Sequence, residues 1–408
     1  MTTITSPPVD VAENPKLSLS STAIPNFKRK PLWQRIWLAR KSYLLILPFF
    51  ILFFVFVMLP VGMSGYLSLH DYRGTPTKPP ESVGFDNFVE LLSLTIVQQP
   101  RATDEDTGEY LYECGKDDDI LESAIIEYTS QGVTCEPQYV RMREILGKNE
   151  QIDKSYKDIA VIQFDENTRY VVGATDARFW KAITNTFTYV AWVVPLGVFF
   201  GLSLALILQK NTLINLIFRT LFFLPSVTST IAVSVVWRWI FNSENYGLIN
   251  GYLDNNITFL ADPSWTMPIL VLMAVWGGMG YTMILFLAGL QAIPQSLYEA
   301  AQIDGATPLK SLMYITIPLL RPTLLYVVVT GMITSFQVFD SVYVVFRSVE
   351  NIGGVLDSGL TVVPYLFDTG FGDNIQMGDA SAVAWVLFGI IFVLTLFNLR
   401  IGRANVAD

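Results

Sequence analysis

The sequence predicts an all-α polytopic membrane protein with six transmembrane helices and a small inserted α+β domain. Hydrophobic residues make up 51% of the 408 residues and charged residues only 15%, although about a quarter of a typical soluble chain is charged. The apolar residues are collected in long runs. Most of the charge is collected in one polar segment, residues 71–178, which interrupts those runs.

Six apolar runs are each long enough to cross about 30 Å of hydrocarbon as a helix. The runs cover residues 43–69, 184–208, 214–241, 268–291, 320–345 and 381–401. The first run is expected to remain as a span, because it is longer than the apolar part of a signal peptide and no small-residue cleavage site follows it. The fifth run is unusual in containing two polar residues, Gln337 and Asp340.

Basic residues at alternate ends of the spans predict that both termini face the cytoplasm. The basic residues on that side are Lys28, Arg29, Lys30, Arg35, Arg40, Lys41, Lys210, Arg219, Lys310, Arg321, Arg400 and Arg403. The alternate loops are acidic, with Glu244 in one and Asp357 and Asp368 in another. An even number of spans agrees with this arrangement.

The predicted boundaries divide the chain into four parts. Residues 1–41 are expected to form a cytoplasmic tail and interfacial helix, 42–70 the first span, 71–178 an extracytoplasmic insert, and 179–405 the other five spans with a cytoplasmic loop at 293–321. The Ser-, Thr- and Pro-rich start of the chain is typical of disordered segments. The basic, Trp-containing stretch 31–41 is either an interfacial helix on anionic lipid or the inner extension of the first span.

The acidic character of the chain belongs to the insert. Residues 71–178 contain 22 acidic and 11 basic residues, which gives this segment a net charge of −11. The formal net charge of the whole chain is −9. The sequence has no basic patch with interleaved aromatic residues, which is typical of nucleic-acid-binding proteins. No nucleic-acid partner is therefore expected.

The insert has folding signals of its own. An apolar stripe at helical spacing, from Ile120 to Tyr128, predicts a helix that ends near Gly132. Residues 137–147 predict a second short helix, with proline at its start and glycine past its end. Residues 160–164 and 169–172 predict two strands joined by a turn.

The only two cysteines, Cys114 and Cys135, lie in the insert. In an oxidising compartment they are expected either to form a disulfide, which would stabilise the fold by about 3 kcal/mol, or to remain as free or buried thiols. The lack of nearby histidine argues against zinc. The acidic cluster 104–106 is either a solvated face or a calcium site, although it lacks the spacing of a calcium loop.

The motifs of common enzymes are missing from the sequence. There is no glycine-rich phosphate-binding loop, no nucleophile elbow and no cluster of metal-ligand residues. The single histidine, His70, is expected at the outer end of the first span. The chain is therefore not expected to be an enzyme, and any energy source must lie on another subunit.

The cytoplasmic loop 293–321 predicts two short helices. Ser296 and Glu299 have the spacing of a capping box, so the first helix is expected from Leu297 to about Asp304. Gly305 supplies the left-handed turn that ends it. A second helix is then expected from Pro308, capped by Thr307, and it should end before Pro318.

The small residues Ala300 and Ala301 give the first helix a flat face that another protein could approach closely. The alternative is that the two helices only seal the inner end of the bundle. The spacing of Glu299-Ala300-Ala301, Gly305 and Ile315-x-Ile317-Pro318 resembles the EAA loop of permease subunits of ABC importers. That resemblance implies coupling to a cytoplasmic ATPase through Glu299, Ala300, Ala301, Asp304, Gly305 and Pro318.

Other stretches resemble the carbohydrate branch of this family, in particular the large maltose permease. The stretches are Gly84–Phe88 and Phe179–Thr186, and the chain carries an insertion between them at about 93–177. The resemblance implies a bacterial or archaeal plasma membrane. It also implies a second homologous permease, two ATPase subunits that hold ATP and Mg²⁺, and an extracytoplasmic solute-binding protein.

The resemblance also implies where a sugar would pass. Family contact positions fall on Gly277, Gly278, Tyr281 and Ser335, and Gln337 and Asp340 are further polar candidates nearby. The alternative for the two glycines is tight helix packing, and Asp340 could instead be a mouth residue or a salt-bridge partner. Val338 and Gly331 depart from the maltose pattern, so a different sugar is expected.

The expected function is therefore an importer subunit for a di- or oligosaccharide or a related glycoside. Three alternatives stay open on the sequence alone. The first is a permease for a non-sugar solute, such as one resembling glycerol phosphate. The second is an export or lipid-handling permease, and the third is a membrane-anchored sensor.

Overall fold

The structure is a computed structural model that describes residues 40–74, 79–104, 106–140, 145, 157–163, 168–244, 246–253, 257–347 and 352–404. The predicted tail and most of the predicted interfacial helix lie outside these residues. The chain divides into two units, Met1–Val61 and Gly62–Asp408. The first unit contains helix α1 (Arg40–Phe53) and a π-helical segment, Phe54–Met58.

The two described π-helical segments each end two residues before a proline. Helix α2 (Leu59–Leu67) follows Phe54–Met58 and contains Pro60. The second segment, Leu312–Thr316, comes before Pro318. A proline lacks an N–H group and its ring pushes away the carbonyl four residues earlier. The wider π turn makes room for that ring inside a continuous helix.

The other described helices form the bulk of the second unit. They are α3 (Asp86–Leu92), α4 (Ile125–Ser130), α5 (Ala177–Leu208), α6 (Leu213–Val227), α7 (Thr230–Ile240), α8 (Leu248–Leu253), α9 (Pro263–Gln291), α10 (Gln295–Ile303), α11 (Pro308–Ser311), α12 (Ile317–Leu319), α13 (Arg321–Phe336), α14 (Asp340–Phe346), α15 (Val362–Phe371) and α16 (Met377–Ala404). Short 3₁₀ turns lie at Glu122–Ala124 and Val355–Asp357.

Four of the described helices are long and apolar enough to cross a membrane. They cover Leu44–Leu67, Ala177–Leu208, Pro263–Gln291 and Met377–Gly402, and they coincide with the first, second, fourth and sixth predicted runs. Two bent pairs raise the number to six if each pair is one span. The chain is therefore a multi-pass, mostly helical membrane protein.

The third and fifth predicted runs are not single continuous helices. Run 214–241 is broken between α6 and α7, which meet at 97°, because Thr228 and Ser229 adopt extended backbone angles after Pro225. Run 320–345 is broken after Phe336, and α14 begins at Asp340. Helix α13 is also bent by 68° from the segment that precedes it, Pro308–Leu319.

Residues 70–174 contain the described strands. These are β1 (His70–Asp71), β2 (Glu81–Ser82), β3 (Leu94–Pro100), β4 (Leu111–Cys114), β5 (Asp117–Leu121), β6 (Cys135–Pro137), β7 (Lys157–Gln163) and β8 (Thr168–Ala174). Strands β1 and β2 pair with each other, and the other six form two antiparallel sheets with orders β3-β8-β7 and β5-β4-β6. The two predicted strands are present as β7 and β8, which pair with each other, and the predicted turn between them lies almost wholly outside the described residues.

The first of the two helices predicted in the insert is present, but it begins later than predicted. Ile120 and Leu121 belong to β5, where Ile120 pairs with Tyr112, because strand pairing overrides the local helical pattern. Helix α4 is accordingly shorter, and Gly132 follows it with φ +77°. Pro137 ends a strand rather than beginning a helix, and most of the remainder of that predicted helix lies outside the described residues.

The start of α5 is tied to the segment 352–368. Phe179 and Ala182 are buried in the main apolar cluster of the second unit. The amide of Asn185 donates to the carbonyls of Asp357 and Leu360, each at 3.0 Å. The hydroxyl of Thr186 accepts from the Val362 N–H at 3.0 Å. This end of the helix bundle is therefore held by polar contacts as well as by packing.

Candidate functional sites: a hydroxyl-lined cavity and an exposed helical loop

A cavity of about 530 Å³ lies among α5, α6, α7, α9 and α13. Its wall includes four of the six predicted pathway residues, Gly277, Gly278, Tyr281 and Ser335. Ser335 is buried and Tyr281 is half-exposed. The structure therefore brings together residues from both sides of the loop 293–321, although their contact with a solute stays a prediction.

The glycines in α9 differ in what surrounds them. A Cβ atom built on Gly277 or Gly278 would meet no atom within 4 Å, so tight packing does not explain these two glycines. A Cβ on Gly280 would collide with the backbone of Phe222 and Phe223. Gly280 therefore allows close approach of α6, whereas Gly277 and Gly278 leave open space beside the cavity.

The other two predicted pathway residues are not part of the cavity wall. Gln337 and Asp340 are exposed and lie at the interruption between α13 and α14. Their polarity is explained by this interruption, because a helix end leaves backbone groups that need water or polar partners. They lie beside the cavity, since Val338 and Ser341 next to them are in its wall, and their contact with a solute stays a prediction.

Sequence reasoning missed several hydroxyl residues of the cavity wall. They are Tyr189, Ser226, Thr228, Thr230, Ser234, Thr282, Thr330, Thr334 and Ser341. Ser226, Thr228 and Thr230 lie at the break between α6 and α7. The sequence signal for these residues was the stretch Pro-Ser-Val-Thr-Ser-Thr at 225–230. Four hydroxyl residues after a proline, inside an apolar run, indicate an interrupted span rather than one continuous helix.

Outside the spans, two polar contacts hold the ends of helices. Asp262 precedes α9 and accepts from the N–H and the hydroxyl of Ser264 at 2.9 and 2.8 Å. These hydrogen bonds lower the pKa of the Asp262 carboxyl. The hydroxyl of Tyr365 donates to Asp176, and burial together with this carboxylate raises the pKa of Tyr365.

The loop 293–321, which is predicted to be cytoplasmic, contains the predicted helix–turn–helix, but its first helix begins differently. Helix α10 begins at Gln295, after Pro294, and no side chain caps it. The predicted capping box is therefore wrong, because Ser296 already lies inside the helix. Proline presets the backbone angle of the residue before the first turn, so the helix begins at Gln295, one residue before Ser296.

The turn after α10 has the predicted conformation. Gly305 has φ +74°, and the Ala306 N–H donates to the Ala301 carbonyl at 2.8 Å, as expected where a helix ends in a left-handed residue. The hydroxyl of Thr307 then accepts from the Lys310 N–H at 3.4 Å, with Pro308 at the first position of α11.

The second helix does not end before Pro318. The helical backbone continues from α11 through Leu312–Thr316 and α12 to Leu319. The π turn accommodates the proline. The Tyr298 and Thr316 hydroxyls lie 2.9 Å apart in a hydrogen bond, so the two helices of the loop are fixed against each other.

The loop presents a largely exposed surface. Glu299, Ala300, Asp304 and Gly305 are exposed, Ala301 and Pro318 are half-buried. Six large apolar side chains of the loop are also exposed: Ile303 at 87%, Tyr314 at 80%, Leu297, Leu309, Met313 and Leu319. An exposed group of apolar side chains on a polar loop is typical of a surface that binds another protein.

Cys114 and Cys135 form a disulfide in the structure, between neighbouring strands β4 and β6. Arg101 stacks on Tyr110 and Tyr112 beside this sheet, with centroid distances of 4.3 and 4.9 Å. Within the described part of the chain, no three His, Cys, Asp or Glu side chains are grouped as metal ligands.

Residues 197–404 match the family model described as the binding-protein-dependent transport system inner membrane component. The chain belongs to this family. The matched region includes the last twelve residues of α5, the other cavity helices and the loop 293–321. The chain is thus an ABC transporter permease and not an enzyme, because ATP hydrolysis belongs to a separate subunit.

Curated relatives agree with this family. The probable ABC transporter permease protein YesP of Bacillus subtilis is 38% identical over 231 residues, which cover 55% of this chain and 72% of the relative. The lactose transport system permease protein LacF of Rhizobium radiobacter is 33% identical over 235 residues, covering 56% of this chain and 77% of the relative.

A solved structure shares the fold. The crystal structure of a bacterial ABC transporter involved in the import of the acidic polysaccharide alginate contains a chain with a TM-score of 0.62 and 20% identity. The match covers 91% of this chain and 98% of that chain. It supports the fold assignment only, because an identity of 20% is too low to transfer a substrate from that protein to this chain.

Proposed function

We propose that the chain is the six-span permease subunit of an ATP-driven importer of saccharides, with a di- or oligosaccharide or a related glycoside as cargo. The broken pair α6 and α7 is the third span, α13 with the segment after it is the fifth, and both termini face the cytoplasm. Residues 1–41, 42–70, 71–178 and 179–405 are the tail, first span, extracytoplasmic insert and core. The importer would reside in a bacterial or archaeal plasma membrane.

The exposed helix–turn–helix at 295–319 is the observation that carries this proposal. Its apolar side chains face outward, and its two helices are fixed to each other through Tyr298 and Thr316. The loop continues directly into α13, one wall of the cavity. A movement of α10 by a bound ATPase can therefore be transmitted to the solute pathway.

The cavity supports a saccharide as the solute. Its wall combines apolar side chains with hydroxyl groups, and Tyr281 offers a ring face as well as a hydroxyl. Sites for small polar solutes usually combine apolar contact with a few oriented polar groups. The names of LacF and of the arabinooligosaccharide permease AraP of Bacillus subtilis, 35% identical over 230 residues, agree with a saccharide.

Transport is proposed to proceed by alternating access. A second homologous permease would complete the pathway, two ATPase subunits would dock on the cytoplasmic loops, and an external binding protein would deliver the sugar. When ATP closes the ATPase dimer, α10 and its counterpart move and the cavity opens outward. Hydrolysis on the ATPase returns the cavity to the inward-facing state.

The test removes the apolar contact at the tip of α10. Ile303→Ser is expected to reduce co-purification of the ATPase and to abolish ATP-dependent sugar uptake, while the permease still inserts into the membrane. Ile126→Ser is the control, because Ile126 is 79% exposed but lies on α4 in the insert. The double variant Ile303→Ser, Glu299→Lys makes the test stricter. If it still associated with the ATPase and took up sugar normally, the proposed coupling would be contradicted.

A further inference from the structure

Five hydroxyl groups of the cavity wall already donate their proton to a backbone carbonyl. Thr228 donates to Leu224 at 2.9 Å and Thr334 to Thr330 at 3.0 Å. The others are Ser226 to Phe223 at 2.7 Å, Ser234 to Thr230 at 2.7 Å and Thr330 to Tyr326 at 2.7 Å. While it keeps this bond, each of these oxygens offers only lone pairs to a solute.

A wall of such oxygens distinguishes between solutes. A sugar hydroxyl is both donor and acceptor, so it can donate to Thr228 or Thr334. A carboxylate, sulfonate or phosphate oxygen is an acceptor only, so these wall oxygens repel it. A buried anion also needs charged partners or several donors to offset its desolvation, and the residues that line this cavity are apolar or hydroxyl-bearing.

The broken span adds a second element to this discrimination. The C-terminal end of α6 and the N-terminal end of α7 meet at the cavity, and residues on both sides of the break line it. A helix C-terminus carries partial negative charge and an N-terminus partial positive charge. Two opposite ends side by side suit a group that both donates and accepts, rather than a full charge of either sign.

We propose that this cavity selects a neutral, polyhydroxylated saccharide and discriminates against sugars that carry an anionic group. This inference rests on the proposed function and makes its substrate class specific. Ser226, Thr228, Thr330 and Thr334 are then specificity-determining residues, because their orientation toward backbone carbonyls fixes them as acceptors. Uronates, sulfonated sugars and sugar phosphates are excluded at the permease itself.

The test measures solute occupancy directly in the cavity, so that selection by the external binding protein does not interfere. Thr334→Cys is introduced into the full transport complex, and the rate of maleimide labelling is measured with and without sugar. The probes are neutral gluco-, galacto- and arabino-trisaccharides and trigalacturonate. Thr330→Cys is the second variant if Thr334→Cys does not assemble.

At ten times its half-protecting concentration, at least one neutral trisaccharide should slow labelling about tenfold by simple occupancy. Trigalacturonate should leave the rate unchanged. Adding Thr228→Val, which keeps the shape but removes one acceptor, should raise the concentration of neutral sugar needed for protection. Thr107→Cys in the insert should be labelled at the same rate with every sugar.

The two possible failures are distinguishable. Equal protection by trigalacturonate, or protection by trigalacturonate alone, would overturn neutral selectivity and leave saccharide transport intact. Labelling that no sugar slows, at either cysteine position, would contradict the proposed function, and the selectivity with it.

Discussion

The Arg178 guanidinium lies between two carboxylates, with its Nε 2.9 Å from Asp357 Oδ2 and its Nη1 2.9 Å from Asp368 Oδ2. Arg178 is the second residue of α5, whereas the two aspartates flank the start of α15. Leu356 and Asp357 both have φ +54°, a conformation that side chains rarely adopt. The ion pair therefore fixes a strained turn against the first turn of α5.

Arg178→Met should destabilise this end of the bundle. The change leaves Asp357 and Asp368 without their cation and releases the turn at Leu356. Since Arg178 is partly exposed, we expect a loss of about 1–2 kcal/mol rather than the larger cost of a fully buried pair. The measurement is thermal unfolding of the detergent-purified complex.

Two further variants make the Arg178 result specific. Arg178→Lys should recover only part of the loss, because an ammonium group cannot bridge two carboxylates as a guanidinium does. Arg400→Met changes an exposed arginine at the far end of the chain and should leave unfolding unchanged. Equal stability of Arg178→Met and the unaltered protein would show that the ion pair does not hold the turn.

Two glycine-to-alanine changes in α9 should have opposite effects. Gly277→Ala adds a methyl group to open space at the cavity, so sugar uptake should fall while the unfolding temperature stays the same. Gly280→Ala forces the methyl against the backbone of Phe222 and should lower stability by about 1–3 kcal/mol. Uptake assays and thermal unfolding of both variants check this, and the reverse pattern would refute the assignment of the two glycines.

Gly305→Ala should weaken the turn between the two helices of the cytoplasmic loop. A Cβ at this position meets no atom within 4 Å, so the cost comes only from φ +74° and should be about 1 kcal/mol. The stimulated rate of ATP hydrolysis in the complex should fall by a larger fraction than the occupancy of the cavity by sugar. Gly84→Ala is a matched control, because Gly84 also has a positive φ and open surroundings but lies before α3.

Reduction of the disulfide should loosen the insert and leave the helical core intact. The two cysteines are separated by 21 positions, and a loop of this length corresponds to about 3 kcal/mol of stabilisation in the chain-entropy model. Limited proteolysis should cut between Cys114 and Cys135 faster after reduction. A variant with Cys114→Ala and Cys135→Ala should be cut at one rate with or without reductant.

The features predicted well from the sequence depend on local chemistry. Hydropathy located four continuous spans, and Gly305, Thr307 and Pro308 determined the turn of the cytoplasmic loop. The errors arose where distant contacts or prolines change the backbone. Pairing with Tyr112 moved Ile120 into a strand, the π turn carried the helix past Pro318, and Pro294 replaced the predicted cap at Ser296.

The cavity could be predicted only in part for the same reason. Gly277, Gly278, Tyr281 and Ser335 were found by family resemblance. The hydroxyls near Thr228 were missed, because the 97° break between α6 and α7, at which they line the cavity, was not predicted inside an apolar run. Gln337 and Asp340, rare polar residues in an apolar run, flank the interruption between α13 and α14, and their contact with a solute stays a prediction.

The most direct test of the central claim is uptake by the complete transporter reconstituted in vesicles, with its ATPase, second permease and binding protein. A labelled neutral oligosaccharide should accumulate only when ATP is present on the ATPase side. Accumulation should be lost in Ile303→Ser. When Thr334→Cys is added to that variant, sugar should still slow maleimide labelling of the cavity. Sugar accumulation without ATP, or full uptake in Ile303→Ser, would contradict the account.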